Sequence, residues 1–545
     1  MTLKQFGFKE NCISWIKILY TDIRSSVIVN NFISSPFNIN RGVRQGCALS
    51  ALLYILVLEP FVNQVRLDAN IKGLGVPGSE EEAKISCYAD DSTSILTNTH
   101  SVSLVLNKCK LFGRASGAKL NISKTKGMFL GKWKNRSDHP FGISWVKSTK
   151  LLGSKLGYFL TNDDIWGNTF TKFQSTLDLF KYRKLTYKGK SYVINSLATS
   201  KLWYLTSFNL IPQHYLTLTQ RTVFKYFWNT NSEHLKRDIL YKHYLKGGQN
   251  IVNISLKSKA FLLKHVQHLL NNCKAKWTYF AIYWIGLPLR KYNAQFGSLK
   301  IPHSEYIPPF YKVCLETFQH FRHLMAEQNK LNIENLSVKE FYKHLSSSNN
   351  TFPRVVSKNP KVDYNHIWRE LQRKLIDPFS RDLSWRIAHE IVPVQHVLYQ
   401  RKITSNLKCP FCSEVESITH LFHMCILVRP LYDLVFARIS MCFGHTVLPN
   451  NDIIFNFTYP SSDEYEHNII AILLSEVKYT IWVLRNRTKF ENAKVTSQSI
   501  ISYFFNRLRL RIHADFKRLH IPVFINLWAF TCFCCVQFDN GKTTL

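Results

Sequence analysis

The sequence predicts an α+β protein in which a region of mixed strands and helices precedes a mainly helical remainder. Before about Gly157, "SVIVNNFISSPFNI" alternates around an Asn30-Asn31 turn as a β-hairpin does, whereas "NCISWIKILYTDI" has helical spacing. After Gly157, apolar residues recur on one helical face, as in "NTFTKFQSTLDLF". A Cys/His cluster lies in the last helical region.

These changes of texture divide the chain into expected regions. Prolines and polar residues in "HLSSSNNTFPRVVSKNP" mark the best candidate for a linker. The expected regions are 1–157 with mixed strands and helices, 158–345 mainly helical, 346–363 as linker, 364–445 with the Cys/His cluster, and 446–545 as a C-terminal helical region. The sequence does not predict an oligomeric state.

The charge balance indicates a polyanionic partner. The chain of 545 residues carries 71 Lys and Arg against 36 Asp and Glu, a net charge of +35. Basic side chains that neutralise phosphates release condensed counterions, so nucleic acid is the leading candidate, with solubility as the alternative use of this charge.

The location of the protein is expected to be intracellular, in the nucleus and/or the cytoplasm. No stretch reaches about 18 apolar residues, so no membrane partner is expected, and "MTLKQFGFKENCISW" lacks a signal-peptide layout. In that environment the 13 cysteines stay reduced, and a close cysteine cluster indicates a metal site more than disulfides.

Two adjacent carboxylates stand out in "ISCYADDSTSIL", Ile85 to Leu96. Strand-like runs flank Asp90 and Asp91, which predicts a hairpin with both carboxylates at its tip. Mg²⁺ prefers oxygen ligands, so such a tip is suited to hold it. Taken alone, however, Asp-Asp pairs usually lie on solvated turns.

Glycines and lysines surround this hairpin in the sequence. Upstream, "RGVRQGCALSALLYILVLEP" is a turn with Gly42 and Gly46 that leads into an apolar helix, either as a phosphate-binding turn or as an ordinary connection. Downstream, "GAKLNISKTK" carries Lys119, Lys124 and Lys126, and "KLLGSKLG" predicts a glycine-bounded strand pair.

In their order and spacing, these segments resemble the reverse transcriptases of LINE-type (non-LTR) retrotransposons. "RGVRQGCALS" resembles motif B of that family, "YADD" motif C, "GAKLNISKTK" motif D and "KLLGSKLG" motif E. The resemblance covers about 1–157 and continues, more weakly, to about Leu270. It implies a partial right-hand polymerase palm in 1–157 and a helical thumb and connection in 158–345.

The resemblance also implies a reaction and its residues. The family synthesises DNA on an RNA template, from a DNA primer and deoxynucleoside triphosphates, with two Mg²⁺ ions. By position, Asp90 is a direct metal ligand and Asp91 supports it. The residues implied to face primer, template and incoming nucleotide are Tyr88, Arg41, Gln45 and Gly46, with Lys124 near the triphosphate.

One expected part of the family's site does not match. The two-metal site needs a further aspartate, in motif A, on a strand before the helix that here begins the chain. Before Arg41 the only carboxylates are Glu10 and Asp22, and neither lies in a motif A context. Ala48 and Ala51 also replace usual prolines. We therefore expect an N-terminally truncated reverse transcriptase that is inactive alone.

The second constellation is "CPFCSEVESITHLFHMC". Cys409, Cys412, His420 and Cys425 have the spacing C-x2-C-x7-H-x4-C, which suits a tetrahedral Zn²⁺ site. His423 is an alternative ligand in place of His420 or Cys425, and buried cysteines without metal are a further alternative. The segment resembles the zinc-binding domain that follows many such reverse transcriptases. Four protein ligands leave no open position, so the expected zinc is structural.

Two other interpretations remain open. The chain is alternatively a non-enzymatic RNA- or DNA-binding zinc protein derived from a retrotransposon, or a fragment that folds poorly. Aromatic and basic residues interleave between Lys201 and Trp228, which is typical of a base-stacking surface but more often of a helical core.

Overall fold

The strands of the computed structural model are short, and they pair two by two. It describes residues 2–39, 42, 47–271, 275–293, 296, 301–327, 333–348, 350–459, 463–529, 537–539 and 542–544. Within these residues, the strands are β1 Arg24–Ser25, β2 Ile28–Val29, β3 Phe32–Ile33, β4 Phe37–Asn38, β5 Leu74–Gly75, β6 Glu82–Ala83, β7 Ile85–Tyr88, β8 Asp91–Ser94, β9 Lys126–Gly127, β10 Ser144–Trp145, β11 Ser148–Leu151, β12 Ser154–Gly157, β13 Gln537–Asp539 and β14 Lys542–Thr544. The pairs among these described strands are β1–β4, β2–β3, β5–β6, β7–β8, β9–β10, β11–β12 and β13–β14, of which only β9–β10 is parallel.

Helices make up most of the described chain. They are α1 Thr2–Gln5, α2 Glu10–Tyr20, α3 Ala48–Leu67, α4 Thr99–Ser116, α5 Asn162–Phe180, α6 Tyr187–Tyr192, α7 Ser200–Thr206, α8 Gln213–Trp228, α9 Arg237–Tyr241, α10 Ile254–Leu270, α11 Lys276–Leu289, α12 Pro309–Glu327, α13 Val338–Ser347, α14 Arg354–Lys358, α15 Tyr364–Glu370, α16 Pro378–Ala388, α17 Gln395–Gln400, α18 Arg429–Phe443, α19 Asn451–Asn456, α20 Glu464–Glu491, α21 Ser497–Arg518 and α22 Ile521–Phe524. Single π-helical turns follow α6 and precede α18, at Val193–Ala198 and His420–Met424.

The chain forms two compact units. The N-terminal unit comprises 1–168, 207–210 and 259–341, and the C-terminal unit comprises 169–206, 211–258 and 342–545. The domain division expected from the sequence stays a prediction. Its linker region, 346–363, contains the short helix α14, whose Val355 is buried.

In the N-terminal unit, a small apolar core lies where α3 packs on α4. Phe61, Val62, Val65, Ile71 and Val105 form this core, and β7 contributes Ile85 at its edge. Many other apolar side chains of residues 6–67 are exposed, among them those of α2 and of the β2–β3 hairpin. This part of the chain therefore buries little apolar surface.

The C-terminal unit has a much larger core built around α20. Ile470, Leu474 and Ile481 of this helix are fully buried, and α16, α18 and α21 pack against it. By length and composition alone, α3 and α20 could each cross a membrane. Most of the apolar part of α20 is buried inside the protein. A helix at the centre of a folded unit is as apolar as a membrane-spanning helix, so burial also explains the sequence of α20.

Several local predictions are confirmed. Asn30 and Asn31 both have positive φ, 48° and 66°, which gives the two-residue turn whose twist matches a hairpin. The strand pair predicted in "KLLGSKLG" is β11–β12, and the helix predicted in "NTFTKFQSTLDLF" lies in α5. The mixture of helices and strands agrees with the α+β class.

Candidate functional site

The predicted carboxylate hairpin is present, with Ala89 and Asp90 as its two-residue tip. β7 and β8 pair antiparallel, and Tyr88 lies opposite Asp91. Ala89 has φ 52°, the left-handed conformation that such tight connections require. A hydrogen bond from Cys87 Sγ to Ser92 Oγ, 3.3 Å long, links the two strands near the tip.

The hairpin presents its functional groups to solvent. Asp90 and Asp91 are exposed, and Tyr88 is 70% exposed. On the other side, Ile85 and Cys87 pack against the core of α3 and α4. Successive side chains of a strand point to opposite faces, so one face of the hairpin packs on the core and the other is exposed to solvent.

Tyr54 of α3 is a neighbour of Asp90 that sequence reasoning missed. Burial raises the pKa of Tyr54, and the nearby negative charge of Asp90 raises it further. The phenol therefore remains a hydrogen-bond donor at neutral pH. Tyr54 lies about two turns into α3, the helix that follows the motif B segment, and α3 contacts β7. That position in the sequence is the signal that could have indicated Tyr54.

Of the other residues implied in nucleotide binding, the structure describes Lys124. Lys124 lies in a turn in which Asn121 Oδ1 accepts a hydrogen bond from its backbone N–H, and its side chain is exposed without an ion pair to Asp90 or Asp91. Arg41, Gln45 and Gly46 lie outside the described residues.

The carboxylate pair is not joined by a third ligand within the described ranges. In those ranges, three or more His, Cys, Asp or Glu side chains lie within ligating distance of one another in the Cys/His cluster, and no such group contains Asp90 or Asp91. Two exposed carboxylates offer too few ligands for a tight Mg²⁺ site by themselves, although Mg²⁺ commonly completes its shell with water and phosphate oxygens.

The four predicted zinc-ligand atoms do come together. The ligand atoms of Cys409, Cys412, His420 and Cys425 all lie within 4.8 Å of one another. Cys412 Sγ is 3.2 Å from His420 Nε2 and 3.6 Å from Cys425 Sγ. Tetrahedral zinc with Zn–S bonds of about 2.3 Å separates its sulfur ligands by about 3.7 Å, so this cluster fits a four-coordinate zinc ion.

Two local structures bring the ligands together. In the first, the Ser413 N–H donates to the Cys409 carbonyl and Ser413 has φ 66°, which closes the turn that holds Cys409 and Cys412. In the second, a π-helical turn lets the Cys425 N–H donate to the His420 carbonyl at 2.8 Å. The wider turn stacks residues five apart, which places His420 beside Cys425.

His423 is directed elsewhere. Its Nδ1 lies 2.9 Å from Asn451 Oδ1, in a contact made with α19. Burial lowers the pKa of His420, which keeps its imidazole neutral and able to bind a metal at neutral pH. The structure therefore places His420, and not His423, in the ligand cluster.

A buried ion pair behind the metal loop is the second feature that sequence reasoning missed. Glu416 lies between Cys412 and His420, and its carboxylate accepts two hydrogen bonds from Arg485 of α20, at 2.7 and 2.8 Å. The Gln395 N–H also donates to Glu416 Oε2. Because 69 residues separate Glu416 from Arg485, no local pattern predicts this contact.

Comparison with known proteins gives these two sites a common context. Residues 1–156 match the reverse transcriptase (RNA-dependent DNA polymerase) family, and residues 336–431 match the family described as zinc-binding in reverse transcriptase. The transposon TX1 uncharacterized 149 kDa protein of Xenopus laevis is 26% identical to the chain over 278 residues. That alignment covers 49% of this chain and 21% of the relative, so the chain spans about a fifth of the relative's length.

The first match contains the carboxylate hairpin, and the second contains the whole Cys/His cluster. The order of the two domains and the transposon relative agree with the resemblance found in the sequence. Residues 1–156 therefore match a reverse transcriptase domain and residues 336–431 the zinc-binding domain of such enzymes, the combination that the resemblance to non-LTR retrotransposons implies.

Proposed function

We propose that the β7–β8 hairpin supplies two metal-binding carboxylates to an RNA-templated DNA polymerase site, and that this chain alone does not complete that site. The observation that carries the proposal is the position of Asp90 and Asp91 at an exposed hairpin tip inside the reverse transcriptase domain. In this proposal, residues 1–157 are part of a polymerase palm, and the helices that follow are its thumb and connection.

Asp90 and Asp91 would hold Mg²⁺ through their carboxylate oxygens, with Tyr88 next to them on the primer side. Bound Mg²⁺ would activate the primer 3′ hydroxyl and stabilise the leaving oxygen of the deoxynucleoside triphosphate. Exposure favours this role, because the carboxylates are open to a duplex and a nucleotide. The Ile85 and Cys87 side chains would hold the tip in place by their packing.

A metal-binding experiment tests the role of the hairpin. Mn²⁺, a spectroscopic substitute for Mg²⁺, is titrated into the full zinc-loaded chain with a deoxynucleoside triphosphate and followed by electron paramagnetic resonance. We expect weak binding that Asp90→Asn and Asp91→Asn abolish, whereas Asp433→Asn, at an exposed position of α18, leaves it unchanged. Equal binding by all variants would remove the hairpin from the metal site.

Primer extension tests whether the chain is sufficient. With an RNA template, a DNA primer and Mg²⁺, we expect no extension, because a polymerase site needs a further carboxylate ligand that the described residues do not place beside Asp90. Extension by the purified chain that Asp90→Ala abolishes would contradict this expectation.

A second candidate function is non-enzymatic binding of RNA or DNA by the zinc domain. The observation that favours it is the contrast between an assembled Cys₃His cluster and a carboxylate pair without a third ligand among the described residues. A structural Zn²⁺ in this cluster would stabilise the loop that carries the exposed Lys408 and Arg401. RNA binding should then be salt-sensitive, survive Asp90→Ala and drop after Cys412→Ser.

A further inference from the structure

The segment Lys181–Lys190 concentrates positive charge at the start of the C-terminal unit. Its sequence, "KYRKLTYKGK", contains five basic residues and no acidic one. Lys181, Arg183, Lys184 and Lys188 are exposed. None of these four side chains forms an ion pair with a carboxylate within 4.0 Å in the described part of the chain.

Aromatic rings, not carboxylates, position these cations. The Lys188 ammonium lies 4.8 Å from the ring centre of Tyr244, and the Lys184 ammonium lies 5.3 Å from that of Phe379. Arg183 lies 5.0 Å above Phe180 in the same way. A ring attracts a cation through its quadrupole and adds no negative charge, so the cations are held in place while their charge stays available.

Further positive charge lies beside the segment. Burial lowers the pKa of Lys188, and the positive charge of the nearby Arg381 lowers it further. Arg381 donates to the carbonyls of Arg373 and Ile376, and its buried Nε has no hydrogen-bond partner among the described residues. The carboxylates near Arg381 are those of Asp382, which accepts the Tyr187 N–H, and Asp377. They offset part of the charge of Arg381, although burial raises the pKa of Asp382 to about 7.

Tyr182 adds an exposed ring to the same surface. It is 91% exposed, and Lys181 lies 5.4 Å from its ring centre. A tyrosine this exposed contributes nothing to the core. Exposed aromatic rings in a basic groove stack on unpaired bases of single-stranded nucleic acids.

We propose that Lys181–Lys190, with Tyr244, Phe379 and Arg381 behind it, is a sequence-independent binding surface for the phosphate backbone of a single-stranded RNA or DNA, with Tyr182 stacking on a base. This surface is distinct from the residues of the carboxylate hairpin and from the zinc ligands. The proposal therefore does not depend on polymerase activity.

The test measures how affinity depends on salt. Labelled oligouridine and oligothymidine are titrated with the full zinc-loaded chain by fluorescence anisotropy, between about 50 and 200 mM salt, without Mg²⁺, primer or nucleotide. The variant replaces Lys181, Lys184 and Lys188 with Gln. The matched control makes the same change at Lys361, Lys374 and Lys517, three exposed lysines of the same unit.

A plot of log affinity against log salt concentration has a negative slope, and each lost phosphate contact on a single strand makes it shallower by about 0.7. The slope should therefore become shallower by about 2 for the first variant and stay unchanged for the control. Equal slopes for the two variants would mean that net charge alone binds the strand, and would overturn the proposal. If the slope changes for both oligonucleotides, the surface binds the phosphate backbone that RNA and DNA share. If the slope changes for one of them only, the surface is specific for that kind of strand.

Tyr182 separates single-strand binding from general attraction to polyanions. Tyr182→Ala should weaken binding to oligouridine about fivefold or more, whereas Tyr182→Phe should not, because stacking needs the ring and not the hydroxyl. Binding to a blunt duplex or to anionic lipid vesicles should be unaffected by Tyr182→Ala. An equal loss on all three, or no loss on any, would contradict the stacking role. Unchanged melting curves confirm that the variants are folded.

Discussion

The guanidinium of Arg485 and the carboxylate of Glu416 form a two-point ion pair that is closed to solvent. Their side chains are 1% and 0% exposed. Arg485 lies on α20, the central helix of the C-terminal unit, and Glu416 lies in the loop between the first and second pairs of zinc-ligand positions. The pair therefore fixes the metal loop to the largest core of the protein.

Arg485→Met should destabilise the C-terminal unit by about 3–5 kcal/mol, because it leaves the carboxylate of Glu416 buried without its partner. The free energy of unfolding is measured by urea denaturation. The control is Arg509→Met on the exposed side of α21, which should change stability by less than about 0.5 kcal/mol.

The double variant Arg485→Met, Glu416→Leu should recover much of this loss. Replacing both members of a buried ion pair with apolar side chains removes the unpaired charge and is often neutral. A double variant as unstable as the two single changes added together would mean that Arg485 and Glu416 stabilise the unit independently, and would contradict the role of the orphaned charge.

Zinc removal should unfold the metal loop. The zinc-loaded chain should contain about one zinc ion, and Cys412→Ser or Cys425→Ser should lose it and lower the melting temperature, since metal binding and local folding are coupled. Cys12→Ser, at an exposed cysteine outside the cluster, should leave the zinc content and the melting temperature unchanged. Zinc content is measured by atomic emission.

His423→Ala distinguishes the two possible histidine ligands. Because His423 contacts Asn451, its loss should leave the zinc content unchanged, whereas His420→Ala should reduce it. The opposite result would place His423 in the cluster.

His389 should make the C-terminal unit sensitive to acid. Its ring is buried between Trp368 and Trp385, its Nε2 lies 2.8 Å from the Gly247 carbonyl, and its buried Nδ1 has no partner among the described residues. Burial lowers the pKa of His389 from 6.5 to about 4. The folded protein therefore excludes the second ring proton.

Because the unfolded chain binds this proton first, the stabilisation is present above about pH 6.5 and is lost as the pH falls to about 4. At about 1.4 kcal/mol per pH unit, the change of about 2.5 units in pKa gives a full loss of about 3–4 kcal/mol. His389→Phe should flatten the dependence of unfolding free energy on pH over this range, and His513→Phe, at an exposed histidine, should not. Parallel profiles for wild type and His389→Phe would exclude the role of His389.

The rate of amide hydrogen exchange should differ sharply between the β7–β8 hairpin and the buried part of α20. Amides of residues 85–94 should exchange quickly, because a two-stranded hairpin on a small core is marginally stable. Amides of Ile470–Ile481 should exchange most slowly, because that part of α20 is buried on all sides. Mass spectrometry on the zinc-loaded chain compares them, and similar protection of both segments would contradict this expectation.

Local patterns predicted the local parts of both sites. A turn flanked by strand-like runs predicted the hairpin at Asp90, and the spacing of Cys409, Cys412, His420 and Cys425 predicted a cluster that the structure assembles. Such features depend on residues within one short segment of the chain. The sequence left two histidines open as ligands, because spacing alone does not decide between His420 and His423, which are five and two residues from Cys425.

The carboxylate hairpin, the metal-ligand spacing and the excess of positive charge follow from the amino-acid sequence. Which charges are paired depends on the tertiary structure: Arg485 lies against Glu416, whereas Lys188 lies on Tyr244 and Lys184 on Phe379, and neither lysine has a carboxylate within 4.0 Å among the described residues. The reason is physical. Periodicity and turn chemistry act over a few residues, but the burial of a charge and the identity of its neighbour depend on segments that meet only when the chain is packed.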